Sequence, residues 1–124
     1  MTGNPVRVLV VDDDPDQTEM VARVLTRRGF VVEAANSPFG VSNKARSFNP
    51  DLIILDVNIP ALSGDQLVGL IRKNSQLDNT RIILFSAMDE DELQRLARQV
   101  GADGCIQKNF NGDYLAKKIR AVLR

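Results

Sequence analysis

Short apolar runs alternate along the chain with longer stretches in which apolar residues recur every three or four positions. The runs "VRVLVV", "VVEAA", "DLIILD", "RIILFS" and "GCIQK" are β-branched or continuously apolar and predict five strands. Between and after them lie five helical stripes. Met20, Val21, Val24 and Leu25 form the first, and Val41, Ala45 and Phe48 the second. Leu67, Leu70 and Ile71 follow, then Leu93, Leu96, Ala97 and Val100, and last Leu115, Ile119, Val122 and Leu123. Each stripe marks one apolar helix face.

The punctuation agrees with this rhythm. Gly29 follows the basic pair Arg27 and Arg28, and Gly101 follows Val100, both as helix C-terminal signals. "DPDQ" predicts a helix start, with Asp14 as N-cap, Pro15 at the first helical position and Gln17 closing a capping box. Five strands alternating with five helices imply a three-layer α/β sandwich whose parallel sheet is covered on both faces. A length of 124 residues matches one domain, expected to fill 1–124 behind a short tail over 1–5.

Composition removes several chemistries. There is no histidine, so histidine acid–base and triad catalysis are excluded, and Cys105 is the sole cysteine, which leaves no internal disulfide and no ordinary zinc set. Sixteen basic and sixteen acidic residues cancel, so no dedicated nucleic-acid surface is expected. No apolar run approaches a membrane span, and "MTGNP" lacks the features of a signal peptide, so a cytoplasmic location without membrane contact is expected.

What remains is a set of reactive residues at strand ends. The first strand ends at Asp12 and Asp13, the third at Asp56, the fourth at Ser86 and the fifth at Lys108. In the flavodoxin-like order 2-1-3-4-5 these four strands lie side by side, and such sheets gather ligands at their carboxyl ends. Asp14 is explained as a cap; Asp12 and Asp13 are not. Close carboxylates repel unless a divalent cation lies between them. Singly, each residue has an ordinary reading as a cap, a turn serine or a solvated lysine. Their coincidence points to one pocket.

The pieces "VLVVDDD", "PDLIILDVNIPALSG", "IILFSA" and "GADGCIQKNF", in this order, resemble the receiver domain of bacterial two-component response regulators from end to end. The spacing of Asp56, Pro60 and Gly64 is the most specific part. The resemblance implies a phosphoryl-accepting switch rather than a turnover enzyme. Asp56 matches the phosphorylated aspartate. Asp12, Asp13, Asp56 and the backbone carbonyl of Asn58 match the magnesium ligands. Ser86 matches the hydroxyl residue that bonds the phosphoryl group, Ala87 the small residue beside it, and Lys108 the lysine that pairs with its oxygens. A sensor histidine kinase or histidine phosphotransfer protein is the implied donor. The implied output surface, toward an output domain or partner protein, is formed by the fourth helix, fifth strand and fifth helix, whose outer charges include Arg95, Arg98, Lys117 and Lys118.

The chemistry fits those roles on its own terms. A carboxylate attacking phosphorus meets anionic repulsion, which a magnesium ion and an ammonium relieve. Two positions depart from the family pattern: Cys105 stands where an aromatic residue is usual, and Asn109 where proline is usual. Without proline a cis bond costs about 2.5–4 kcal/mol, so a trans Lys108–Asn109 peptide is expected, with the lysine near Asp56. Cys105 is expected to be a packed small residue rather than a redox sensor. Alternatives are a docking module that is never phosphorylated, a haloacid-dehalogenase-like phosphatase using Asp12 and Asp14, and a flavin binder. The phosphatase pattern fails at Asp16, where Thr or Val belongs, and no phosphate-cradling loop follows the first strand.

Overall fold

The central apolar runs become strands covered on both faces, so β-branched residues bury on alternate sides of one sheet. A computed structural model describes residues 4–37, 41–57 and 79–124, together with Gln66, Gly69, Arg72 and Lys73. Strands β1 (Arg7–Val11), β2 (Val31–Ala35), β3 (Leu52–Asp56), β4 (Arg81–Ser86) and β5 (Gly104–Gln107) are all parallel, in the order β2-β1-β3-β4-β5. The predicted sheet order is therefore the observed one. Four helices are described in full: α1 (Pro15–Thr26), α2 (Val41–Phe48), α3 (Glu90–Val100) and α4 (Gly112–Leu123). The helix expected on Leu67, Leu70 and Ile71 falls on residues outside the described ones, although Gln66, Gly69 and Arg72 beside them are helical.

Alternation along the strands divides the core into two layers. Leu9, Val11, Ile53, Leu55, Ile82 and Leu84 pack with α2 and α3 through Val41, Ala45, Phe48, Leu93 and Ala97. Val8, Val10, Leu52, Ile54, Ile83, Phe85 and Ile106 pack with α1 and α4 through Val21, Leu25, Leu115, Ala116 and Ile119. The central β3 is buried along its whole length, whereas the edge strand β2 alternates and leaves Val31 exposed. Asp56 therefore stands at the end of a strand that is buried along its whole length.

Three strand ends move by one residue from the predicted runs. β1 starts at Arg7, whose N–H is taken by the Asp51 carboxylate at 2.9 Å, so Val6 and Asp51 flank the ladder. β5 stops at Gln107, yet the Lys108 N–H still donates to the Ser86 carbonyl at 2.7 Å. Met20, expected on the apolar stripe of α1, is 43% exposed; Thr18, Val21 and Leu25 are the buried positions. Thr18 earns that place through its hydroxyl, which donates to the Pro15 carbonyl at 3.0 Å. Gly29 and Gly101 have φ of 90° and 80°, the left-handed conformation that ends a helix.

Candidate functional site

Parallel register brings the strand ends level, so residues that follow the strands meet at one rim. Asp12, Asp13 and Asp56 each offer a carboxylate oxygen, and these oxygens lie within 4.8 Å of one another. Asp12 and Asp56 are buried, at 3% and 4% exposure, while Asp13 faces solvent. Lys108 extends from the end of β5 to place Nζ 3.7 Å from an Asp12 oxygen and 3.8 Å from an Asp56 oxygen. Ser86 is buried at the end of β4, and Ala87 is exposed beside it. Asn58, expected to supply a backbone carbonyl, lies outside the described residues, as do Pro60 and Gly64.

Burial of the acids has an electrostatic consequence. The Asp12 carboxyl is pushed up to about 6, first because burial penalises its charge and then because Asp56 lies beside it. The Asp14 N–H, donated to Asp12 Oδ1 at 3.0 Å, and the nearby Lys108 ammonium oppose that rise. All three donors are hard carboxylate oxygens, the chemistry of a magnesium- or calcium-type cation rather than of zinc or copper. The residues therefore fit a divalent hard cation.

Asp14 is turned away from this group. Its Oδ1 accepts the Asp16 N–H at 2.9 Å as the N-cap of α1, as its sequence position predicts. The capping box does not close. Gln17 instead presents Oε1 to the Lys108 ammonium at 2.5 Å, a charged donor and so a stronger partner than the cap amide.

Two further contacts had no expectation attached. Asn36, directly after β2, donates from Nδ2 to the Asp12 carbonyl at 3.0 Å and to the Thr18 hydroxyl at 2.9 Å. It thus pins the loop bearing Asp12 and Asp13 to the next strand. The only signal was an amide residue immediately after the apolar run "VVEAA". Replacing Asn36 with Ala should cost about 1–2 kcal/mol of stability, measured by urea unfolding, since two bonds to the loop are lost. An unchanged unfolding midpoint would count against this anchoring.

On the other side of the rim, the Ser86 hydroxyl accepts the Met88 N–H at 3.0 Å. The Met88 carbonyl in turn accepts from Gln107 Nε2 at 3.1 Å. The first turn after β4 is thereby held at both ends of Met88. Asp89 then caps α3 by accepting the Asp91 N–H at 3.2 Å.

The two departures from pattern behave as their chemistry predicts. No cis peptide occurs among the described residues, so Lys108–Asn109 is trans and the lysine still reaches the acids. Asn109 closes its own turn, its Oδ1 accepting the Asn111 N–H at 2.8 Å. Phe110 packs edge-on against Phe85 with ring centroids 6.1 Å apart, and the Lys108 ammonium lies 5.8 Å from the Phe85 ring centroid. Cys105 is half-buried against the α2/α3 layer, and that burial raises its thiol pKa, the opposite of an activated thiolate.

Fold and site together define a doubly wound α/β domain with an anionic, lysine-capped pocket at the carboxyl end of its sheet. The sequence model for the response regulator receiver domain matches residues 8–120, and the chain belongs to that family of two-component signalling domains. It is 36% identical over 118 residues to the transcriptional regulatory protein CpxR homolog of Haemophilus influenzae, covering 95% of this chain and 50% of that protein. It is 34% identical over 112 residues to hybrid signal transduction histidine kinase D of Dictyostelium discoideum, covering 90% of this chain and 7% of the kinase. Among solved structures, the chemotaxis response regulator CheY4 of Vibrio cholerae superposes with a TM-score of 0.86 at 33% identity, over 96% of this chain and 99% of that one. The chain thus spans about half the length of the transcriptional regulators it matches. Among the described residues, no helix is long and apolar enough to cross a membrane.

Proposed function

We propose that this chain is a phosphoryl-accepting switch in which Asp56 is the acceptor. The observation that carries this reading is the placement of a buried Asp56 carboxylate within 3.8 Å of the Lys108 ammonium and among two further acids. An Asp56 carboxylate oxygen attacks the phosphorus of a phosphohistidine donor. A P–O bond forms as the P–N bond breaks, and the donor imidazole leaves with the bonding pair. Lys108 holds positive charge beside the oxygens that gain negative charge. Asp12, Asp13 and Asp56, with the Asn58 carbonyl that the family resemblance adds, would hold a magnesium ion, which would supply the remaining neutralisation.

The product is an acyl phosphate, labile enough to reset. Ser86 then exchanges its bond from Met88 for one to the phosphoryl group, and Ala87 leaves room for that movement. The donor is a histidine kinase or a histidine phosphotransfer protein, and the domain is cytoplasmic and has no turnover activity of its own. It occupies 1–124 as one unit. The α3/β5/α4 face, where Arg95, Arg98 and Lys117 are exposed, carries the signal to an output domain or partner protein. Lys118 contributes less there, since its ammonium lies 5.6 Å from the Tyr114 ring centroid.

Incubation with acetyl phosphate and magnesium tests the acceptor. Intact mass should rise by one phosphoryl group, hydroxylamine should remove it, and peptide mapping should place it on Asp56. A label on any other carboxylate would overturn the assignment.

A further inference from the structure

Among the described residues, the oxygen hydrogen-bonded to the Lys108 ammonium is a neutral one. Gln17 Oε1 lies 2.5 Å from Nζ, whereas the carboxylates of Asp12 and Asp56 lie 3.7 and 3.8 Å away. Charge-assisted N–H···O bonds close to about 2.7–2.9 Å, so both ion pairs stand about 1 Å outside that range. An ammonium only donates, so the Gln17 amide must present its oxygen here. The Lys108 side chain is 18% exposed, which leaves little water to compete for its protons.

We infer that Gln17 is a positioning residue that holds the Lys108 ammonium clear of Asp12 and Asp56, keeping those carboxylates available to a divalent cation. The inference rests on the metal-binding reading above. Both ends of the contact are anchored. The Gln17 N–H donates to the Asp14 carbonyl at 3.1 Å in the first turn of α1, and the Lys108 N–H donates to the Ser86 carbonyl at 2.7 Å. The long lysine stem is therefore fixed from α1 as well as from β5. If Gln17 loses its oxygen, the ammonium closes on the two carboxylates as the next acceptors. It then occupies as an internal cation the charge that a metal ion needs. The same placement leaves the ammonium a short movement from oxygens newly attached to Asp56.

Titration of the full chain with magnesium chloride, followed by calorimetry, tests this without any phosphorylation. Gln17→Met should bind magnesium roughly fivefold to tenfold more weakly than the parent, the effect of drawing one ion pair in by about 1 Å. Gln17→Ser, too short to reach Lys108, should show the same loss, and Gln17→Glu should not. In a Lys108→Met background the Gln17→Met change should have no effect. Unchanged affinity in Gln17→Met and Gln17→Ser would overturn the inference, as would an equal loss in the Lys108→Met background. A parent chain that binds no magnesium would overturn the metal reading itself.

Discussion

Asp56→Asn will take up no phosphoryl group from acetyl phosphate or a cognate kinase, while keeping the fold. Asparagine matches aspartate in shape, so a site that is 4% exposed is neither emptied nor overfilled. The change removes the anionic oxygen that attacks phosphorus, and a neutral amide oxygen is a far weaker nucleophile. It also removes one of the charges that push up the Asp12 carboxyl, so Asp12 should titrate closer to an ordinary aspartate in the variant. Intact-mass measurement checks the first statement, and carboxyl-carbon NMR titration checks the second. Parental labelling of Asp56→Asn would show that the acceptor lies elsewhere.

Asp12→Asn will be more stable than the parent at pH 7 in a chelator, by about 2–3 kcal/mol. The folded-state value of about 6 lies above the ordinary value of 3.8, so the folded protein takes the proton more readily than the unfolded chain. Ionised Asp12 therefore lowers stability at any pH above about 6. The penalty fades as pH falls through that value and is gone below about 4, where Asp12 is protonated in both states. The variant's advantage should accordingly shrink between pH 7 and pH 4. Other carboxylates titrate in both proteins, so the difference between them isolates Asp12. The Asp14 N–H that bonds Asp12 Oδ1 can bond the asparagine oxygen equally well. Millimolar magnesium should raise the melting temperature of the parent, since it binds only the folded form, and should raise that of the variant much less. An advantage that does not vary with pH would remove the electrostatic explanation.

The sheet and its order were legible because each strand carried its own signal. β2 and β4 match the predicted runs residue for residue. The acid cluster was legible for a similar reason: carboxylates directly after apolar strands resist an ordinary explanation. Gln17 was misread because the capping-box pattern is local, and the ammonium that captures its side chain arrives from a residue 91 positions later. Met20 was misread because a stripe of period 3.6 does not say which of two adjacent residues faces inward. The inward face is the one bearing Thr18, Val21 and Leu25, where the Thr18 hydroxyl accepts from Asn36 at 2.9 Å. Asn36 and Gln107 carried only the weak signal of an amide at a strand end, which gives no indication of which distant carbonyl it will find.

Alternation of side chains along the strands has a mechanical consequence. Asp12, Asp56 and Lys108 continue the register of Val10, Ile54 and Ile106 on the α1/α4 side, whereas Ser86 continues that of Leu84 on the α2/α3 side. In the proposed switch, a group attached to Asp56 and gripped by both Lys108 and Ser86 would act as a rivet through the sheet, drawing on both outer layers at once. The two broad surfaces of the domain would then be coupled through that group. A partner bound to one would change the affinity for a partner on the other, in equal measure in both directions.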